Sequence, residues 1–157
     1  MSTKQRATRR RERGQTLAEF AIIAPLVIIL IFGFVDLTRA FSSWVTIQGA
    51  AREGARYGVT GQDDCAGITD DRLACIQYQT RQRAKTLTNS PTALTVTVQS
   101  WDYPNYVAQT NNDPGSPCDA LEVQVDYDFK PALFTSIFSV HLVARERLVN
   151  EPFGSCS

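Results

Sequence analysis

The sequence is poor in the residues and motifs on which catalytic sites depend. His141 is the one histidine, and no Gly-x-Ser-x-Gly turn or glycine-rich phosphate loop occurs. A serine, histidine and aspartate triad would have to be built around this single histidine, which lies in an expected strand. We therefore expect no catalytic residue, no cofactor and no enzymatic activity.

The sequence also lacks net charge, but this neutrality arises from two opposed segments. Residues 1–16 carry six basic side chains and one acidic, whereas the other 141 residues carry ten basic and fifteen acidic. A second basic run at residues 81–85 falls in the last turns of an expected helix, where cations complement the negative helix end. We therefore expect no nucleic-acid partner.

One long apolar run follows the basic leader. Residues 17–35 contain a single charged side chain, Glu19, and would extend over about 28 Å as a helix. This length nearly matches a bilayer core of about 30 Å, so the run is predicted to cross a membrane, with lipid as a partner. Basic residues favour the cytoplasmic side. We therefore expect a single-pass protein of the cell membrane, with residues 1–14 in the cytoplasm and the C-terminal domain extracytoplasmic.

The cysteines agree with an oxidising exterior, because all of them follow the apolar run and their number is even. None has the two-residue spacing of a zinc or redox motif, so we expect no metal site. We predict two disulfides, for which three pairings are open. We prefer the pairing that closes a short loop before the second helix. The preferred pairs are Cys65–Cys75 and Cys118–Cys156.

The apolar pattern continues past the bilayer-length run. Apolar and small residues recur at steps of three and four up to Ala55, which predicts one helix over residues 15–58. Gly54 and Gly58 are four residues apart, a spacing that permits another backbone to approach closely. Fraying before Gly61 is the alternative explanation. The candidate helix-packing residues are Pro25, Gly33, Gly54 and Gly58.

A second helix is predicted within residues 59–89, with Thr69 as its N-cap. Its inner face is expected to contain Leu73, Ile76, Thr80, Ala84 and Leu87. Residues 93–101 and 121–129 alternate apolar and polar side chains and are predicted strands, the second with an acidic outer face. Residues 141–149 are interpreted as a third strand.

Two connections complete the predicted fold. Residues 102–119 contain three prolines and three asparagines and are predicted to form a surface loop that carries contacts. Residues 131–140 are expected to form a short helical or irregular crossover. The fold class is α+β: a long N-terminal transmembrane helix continues into a small extracytoplasmic domain at residues 59–157, with a second helix and an antiparallel sheet of about three strands.

The start of the apolar run resembles type IV prepilins. The basic leader ends at Gly14, and Gln15, Glu19, Phe20 and Pro25 follow in the prepilin order. The resemblance implies that a prepilin peptidase cuts after Gly14. A carboxylate within a membrane span costs up to a few kcal/mol, so Glu19 is expected to have a polar partner. A glutamate extending to the cytoplasmic interface is the alternative explanation.

A downstream motif makes the resemblance more specific. The run Arg52, Glu53, Gly54, Ala55 and Arg56 follows the extended helix, and the whole segment resembles the TadE-like proteins of tight-adherence (Flp) pilus systems. The resemblance implies a minor pilin or pseudopilin, a structural subunit of pilus assembly. Its implied partners are other pilin or pilus-assembly subunits and a prepilin peptidase.

A second function class stays open. Thr38, Arg39 and Ala40 form a passable secretory cleavage site, and a cut there would release the remainder of the chain. The protein would then be a secreted or membrane-anchored extracellular binding protein without a pilus role. In that case the 102–119 loop would contact the ligand.

Overall fold

The computed structural model describes residues 3–87, 94–132 and 139–152. It confirms the α+β class and the long first helix. The elements are α1 (Thr3–Gly58), α2 (Arg72–Arg83), a short 3₁₀ turn (Lys85–Leu87), β1 (Leu94–Asp102), β2 (Val107–Asn111), β3 (Ala120–Phe129) and β4 (Val140–Val149). The chain divides into an N-terminal unit, Met1–Arg39, and a C-terminal unit, Ala40–Ser157.

The N-terminal unit contains the apolar part of α1. By length and composition the helix from Leu17 onward is able to cross a membrane, and none of its most apolar window is buried. A helix satisfies its backbone hydrogen bonds internally, which a span in lipid requires. Pro25 lies inside the helix. This segment is a candidate membrane anchor, as the apolar run predicts.

The C-terminal unit is built on an antiparallel sheet with strand order β2-β1-β3-β4. In its register Val98 lies opposite Val123, and Val125 lies opposite Ala144. Because side chains alternate between the two faces of a strand, these residues share one face. That face forms the core with the C-terminal part of α1 and with α2.

The helix residues of the core include those predicted from periodicity. Ile76, Thr80 and Ala84 of the expected inner face are buried, and Leu73 and Leu87 pack against the core from partly buried positions. The α1 contribution is made mainly of small residues. Its buried apolar members are Ile47, Ala50, Ala51 and Ala55.

The structure corrects the predicted strand count. The 102–119 segment is not a loop throughout, because β2 pairs with β1 after a turn at residues 103–106. Alternation does not reveal β2, because the strand has five residues and its register shifts between Gln99 and Trp101. The crossover prediction is not tested over residues 133–138, which lie outside the described ranges.

Two further predictions need correction. The N-cap of α2 is Asp71 rather than Thr69, since the Asp71 side chain accepts a hydrogen bond from the backbone N–H of Ala74 at 2.8 Å. The outer face of β3 is not simply acidic, because β4 places cations across from it. Arg147 donates to the Glu122 carboxylate, with Nη2 to Oε2 at 2.6 Å.

Candidate functional site

The predicted processing residues lie along the N-terminal part of α1. Gly14 and Gln15 are both within the helix. The Gln15 side-chain amide donates a hydrogen bond to Glu19, with Nε2 to Oε1 at 3.1 Å. Residues four apart share a helix face, so the helix provides the Glu19 carboxylate with a polar partner from its own chain. Phe20 is exposed.

Two of the four predicted helix-packing residues lie in the N-terminal unit. Pro25 is exposed, and a Cβ added at Gly33 would have open space around it. In the described part of the chain both positions are therefore open on the surface of the helix.

The other two glycines are packing positions within the C-terminal unit. A Cβ at Gly54 would collide with the Thr80 hydroxyl of α2, and one at Gly58 would collide with Leu121 and Ile76. The atoms that approach these two glycines belong to side chains of α2 and β3 of the same chain, whereas the spacing predicts the approach of another backbone. A larger side chain would force the helix away from both.

The Arg-Glu-Gly-Ala-Arg motif divides by face. Gly54 and Ala55 point into the core, whereas Arg52 and Arg56 are exposed. The Arg52 guanidinium lies 3.6 Å from the Glu146 carboxylate of β4, on the helix-facing side of the sheet. Arg56 lies 3.6 Å from Glu53. Exposed pairs of this kind contribute little to stability, so the glycine and alanine positions carry most of the motif's structural value.

Arg72 joins the ends of four segments and was not identified from the sequence. Its Nε and Nη2 donate to the Gly58 carbonyl at 2.9 and 2.7 Å, which caps the C-terminus of α1. Nη1 donates to the Gly115 carbonyl at 2.7 Å, and Nη2 also donates to Asn150 Oδ1 at 2.8 Å. Burial lowers the pKa of Arg72, while the nearby Asp113 carboxylate raises it.

Asn150 completes the same junction from the end of β4. Its side chain is buried, and its Nδ2 donates to the carbonyls of Pro114 and Ser116 at 3.1 and 2.8 Å. Its backbone N–H donates to the Asp119 carbonyl at 2.7 Å. Hydrogen bonds therefore attach the 112–119 segment to α2 and to the end of β4.

A disulfide joins Cys65 to Cys75, as the preferred pairing predicts. It connects the loop after α1 to the first turns of α2. Tyr57 near the end of α1 donates from its hydroxyl to the Asp64 carbonyl of the same loop at 3.0 Å. Burial, followed by the charges of Asp63 and Asp64, raises the pKa of that hydroxyl. Cys118 is disulfide-bonded, and its predicted partner Cys156 lies outside the described ranges.

The fold and the candidate site together define a class of protein: a small α+β unit whose first helix contains an apolar segment able to cross a membrane. The described residues contain no group of three or more histidine, cysteine, aspartate or glutamate side chains suited to a metal ion. Residues 14–56 match the family model described as TadE-like protein. No curated protein and no solved structure matches the chain.

The family match confirms the resemblance predicted from the sequence over that segment. It begins at Gly14 and ends at Arg56, so it contains the predicted processing residues, the apolar run and the Arg-Glu-Gly-Ala-Arg motif. The matched segment lies entirely within α1. The likeness is therefore carried by one helix, which serves as candidate anchor in one unit and as part of the core in the other.

Proposed function

We propose that the chain is a TadE-like minor pilin or pseudopilin, a membrane-anchored structural subunit in the assembly of a Flp-type pilus. The match over residues 14–56 carries this proposal. The protein acts by contact rather than by turnover. Residues 1–14 form the cytoplasmic leader, residues 17–35 span the cell membrane, and the domain at residues 59–157 is extracytoplasmic.

The exposed apolar surface of α1 is the proposed surface for lateral association. In the described part of the chain Pro25 is exposed and no heavy atom lies within 4 Å of a Cβ built on Gly33, so both positions are open to a neighbouring helix. Without a hydrophobic driving force in lipid, helices associate through close packing and polar contacts. Glu19 is the polar group available for this purpose, and other pilin or assembly subunits are the partners.

Processing by a prepilin peptidase is the second part of the proposal. The bond after Gly14 lies inside α1, so the helix must open locally for a protease to reach it. Glycine in a helix interior is less stable than alanine by roughly 0.5–1 kcal/mol, which lowers the cost of opening there. A cut would leave Gln15 as the new amino terminus.

N-terminal sequencing of the protein extracted from membranes of its native cell tests the proposal. A start at Gln15, together with co-purification of pilus subunits, is the expected result. A start at Phe41 would instead favour the secreted binding protein. An uncut chain that co-purifies with no pilus subunit would leave a plain membrane anchor and refute the pilin assignment.

A further inference from the structure

The C-terminal unit has cations without acidic partners at the end of α2. Arg81, Arg83 and Lys85 are exposed. None of them forms a salt bridge with a carboxylate in the described part of the chain. They complement the negative end of the helix dipole, which is equivalent to about half an elementary charge. Three cations exceed that charge, so positive charge remains for a partner.

The packing of α1 on α2 shows at which end of the unit these cations lie. Gly58 of α1 lies next to Ile76 of α2. Gly54, four residues earlier in α1, lies next to Thr80, which is four residues later in α2. The two helices are therefore antiparallel. Continuing this register brings Ala84 level with Ala50, so the end of α2 lies toward the Ala40 end of the C-terminal unit.

The first turns of α1 in this unit expose apolar side chains at the same end. Phe41, Trp44 and Val45 are 62, 42 and 50 % exposed, and the Phe41 and Trp44 rings are 6.1 Å apart between centroids. Ser43 and Ile47 on the opposite side of the helix are buried. We call the exposed residues Phe41, Trp44, Val45, Arg81, Arg83 and Lys85 the basic–aromatic end.

The opposite end of the unit is acidic. Asp71 caps α2 there. The hydrogen bonds of Arg72 place the 112–119 segment and the end of β4 at the same end. The carboxylates at this end include those of Asp63, Asp64, Asp70, Asp71, Asp102, Asp113, Asp119 and Glu151. The unit therefore has a strong charge asymmetry along its helices.

Two described carboxylates do lie toward the basic–aromatic end, on the outer face of the sheet. Asp126 and Asp128 are both in contact with His141, at 3.3 and 2.8 Å. They are engaged by that histidine rather than by the cations of α2. The positive charge of Arg81, Arg83 and Lys85 is therefore not neutralised by the residues described around it.

We propose that the basic–aromatic end docks on the anionic phospholipid surface of the bilayer, with Phe41 and Trp44 in the interface and Arg81, Arg83 and Lys85 facing anionic headgroups. This inference rests on the membrane anchoring in the proposed function. Tryptophan is enriched at membrane interfaces, and basic clusters close to a span attract anionic lipid.

Chain continuity keeps this end close to lipid. Phe41 follows Val35 by six residues, which reach at most about 20 Å even when fully extended. Tethering raises the effective concentration of the surface at the membrane, so weak contacts are sufficient for docking. Attraction to anionic headgroups acts over a Debye length of about 8 Å at physiological salt.

A second copy of the chain fits this surface less well. In a two-fold symmetric contact the same patch meets itself, so the cations of one α2 would face those of the other. Unpaired like charges oppose such a contact, whereas anionic lipid complements them. The apolar part is also small, since it consists of three side chains.

The two tryptophans allow a direct test with the full-length chain in nanodiscs at one copy per disc. Trp101→Phe leaves Trp44 as the sole fluorophore, and Trp44→Phe leaves Trp101, which lies at the acidic end beside Ala120. With brominated lipid containing about 30 % phosphatidylglycerol, Trp44 emission is expected to fall at least about twofold, while Trp101 emission stays nearly unchanged. In pure phosphatidylcholine the Trp44 quenching should drop by about half or more.

A matched pair of double variants tests the cations. Arg81→Gln with Arg83→Gln should remove the dependence of Trp44 quenching on phosphatidylglycerol. Arg52→Gln with Arg56→Gln removes two exposed arginines that face carboxylates instead, and it should retain that dependence. Circular dichroism of each variant checks that the helices are intact.

The outcomes separate this inference from the anchor on which it rests. Alkaline carbonate that releases the chain from membranes would refute the anchor and both proposals together. A retained chain whose Trp44 is not quenched would overturn the docking surface alone. A change in Trp44 emission that appears only with several copies per disc would assign the surface to a second copy of the chain. That result would also overturn docking on lipid.

Discussion

At the residue scale, Arg72 shows how one side chain closes a small domain. The last carbonyls of a helix are acceptors without an intrahelical N–H donor, so they need donors from elsewhere. The planar guanidinium supplies several donors in a fixed arrangement. Arg72 uses them on Gly58, Gly115 and Asn150, residues that are 14 to 78 positions away in the sequence.

Arg72→Met is expected to destabilise the C-terminal unit by about 2–4 kcal/mol, because it keeps the side-chain length but leaves partly buried acceptors without donors. Arg72→Lys should lie between wild type and Arg72→Met, since an ammonium cannot match the fork of donors. Urea unfolding of the detergent-solubilised chain, followed by near-ultraviolet circular dichroism, measures the change.

Arg83→Met provides the matched control, because Arg83 is exposed on the same helix. Its free energy of unfolding should stay within about 0.5 kcal/mol of wild type. Equal stability of Arg72→Met and wild type would show that water replaces the arginine at these carbonyls. Arg72 would then have no structural role beyond packing.

At the element scale, polar pairs reinforce the outer face between β3 and β4. Glu122 is opposite Arg147, Gln124 is opposite Arg145, and Asp128 is opposite His141. The Arg147 guanidinium also lies over the Trp101 ring, 3.8 Å from its centroid. Opposite charges across neighbouring strands favour one register over its alternatives.

The His141 pair makes this strand contact depend on pH. The hydrogen bond with Asp128 is the main cause that raises the pKa of His141 above its ordinary value of 6.5. The protonated imidazole is therefore favoured in the folded state. Its stabilisation is complete below pH 6.5 and is lost as the pH rises through the higher pKa of the folded protein.

We expect the melting temperature of wild type to fall by up to about 2 °C across this window, a small change because the pair is exposed. His141→Gln can still donate a hydrogen bond but does not titrate, so its melting temperature should lose this component of the pH dependence. Thermal melts of both proteins at matched ionic strength measure the difference. Parallel curves would assign the pH dependence to other groups.

The strands that sequence reasoning found are those with regular alternation. β3 alternates Leu121, Val123 and Val125 with polar residues, and the buried members are the ones that the pattern selects. The helix α1 is equally predictable from the sequence, because its apolar positions recur over many turns. Local periodicity was sufficient wherever burial follows one face of a regular element.

Features set by distant contacts were not accessible in this way. β2 depends on a turn and on the register of β1, and the Arg72 junction depends on carbonyl groups, which any residue provides. The helix start was misplaced because Thr69, Asp70 and Asp71 are all able to cap. Asp70 has a positive φ of 56°, which is incompatible with the right-handed helical conformation. The helix therefore begins after it, with Asp71 as the N-cap.

At the scale of the whole molecule, the segment that matches the TadE-like family model has two physical roles. Its apolar part is exposed and suited to lipid, whereas Ile47, Ala50 and Ala51 near its end belong to the protein core. A cut after Ala40 would retain every one of these core residues. Folding of the C-terminal unit is therefore compatible with a pilin and with a secreted protein, and processing must distinguish them.

Gly14 and Glu19 are expected to have separable functions in that processing. Gly14→Leu should block cleavage, so that the protein retains its fourteen-residue leader. Insertion should be unchanged, because the apolar span and the basic residues proposed to set its orientation are intact. Gel mobility and N-terminal sequencing measure cleavage, and protease protection measures orientation. A Gly14→Leu protein that starts at Gln15 would contradict the glycine's role.

Glu19→Ala makes the opposite demand, because it leaves the cleavage site intact and removes a charge from the span. Cleavage before Gln15 would create a new helix start with a free amine, and an acidic residue in the first turns favours both. Glu19→Ala should therefore be cut and inserted normally. It should recover about tenfold less of its proposed pilus partners on co-purification, if losing the contact between the Glu19 carboxylate and a neighbouring subunit costs about 1.4 kcal/mol. Glu19→Gln, which keeps the size and a hydrogen-bonding group, should give an intermediate yield. A Glu19→Ala protein that is cut and assembles like wild type would reduce the glutamate to an interfacial residue, and the Gln15 amide that now binds it would be only a local helix contact.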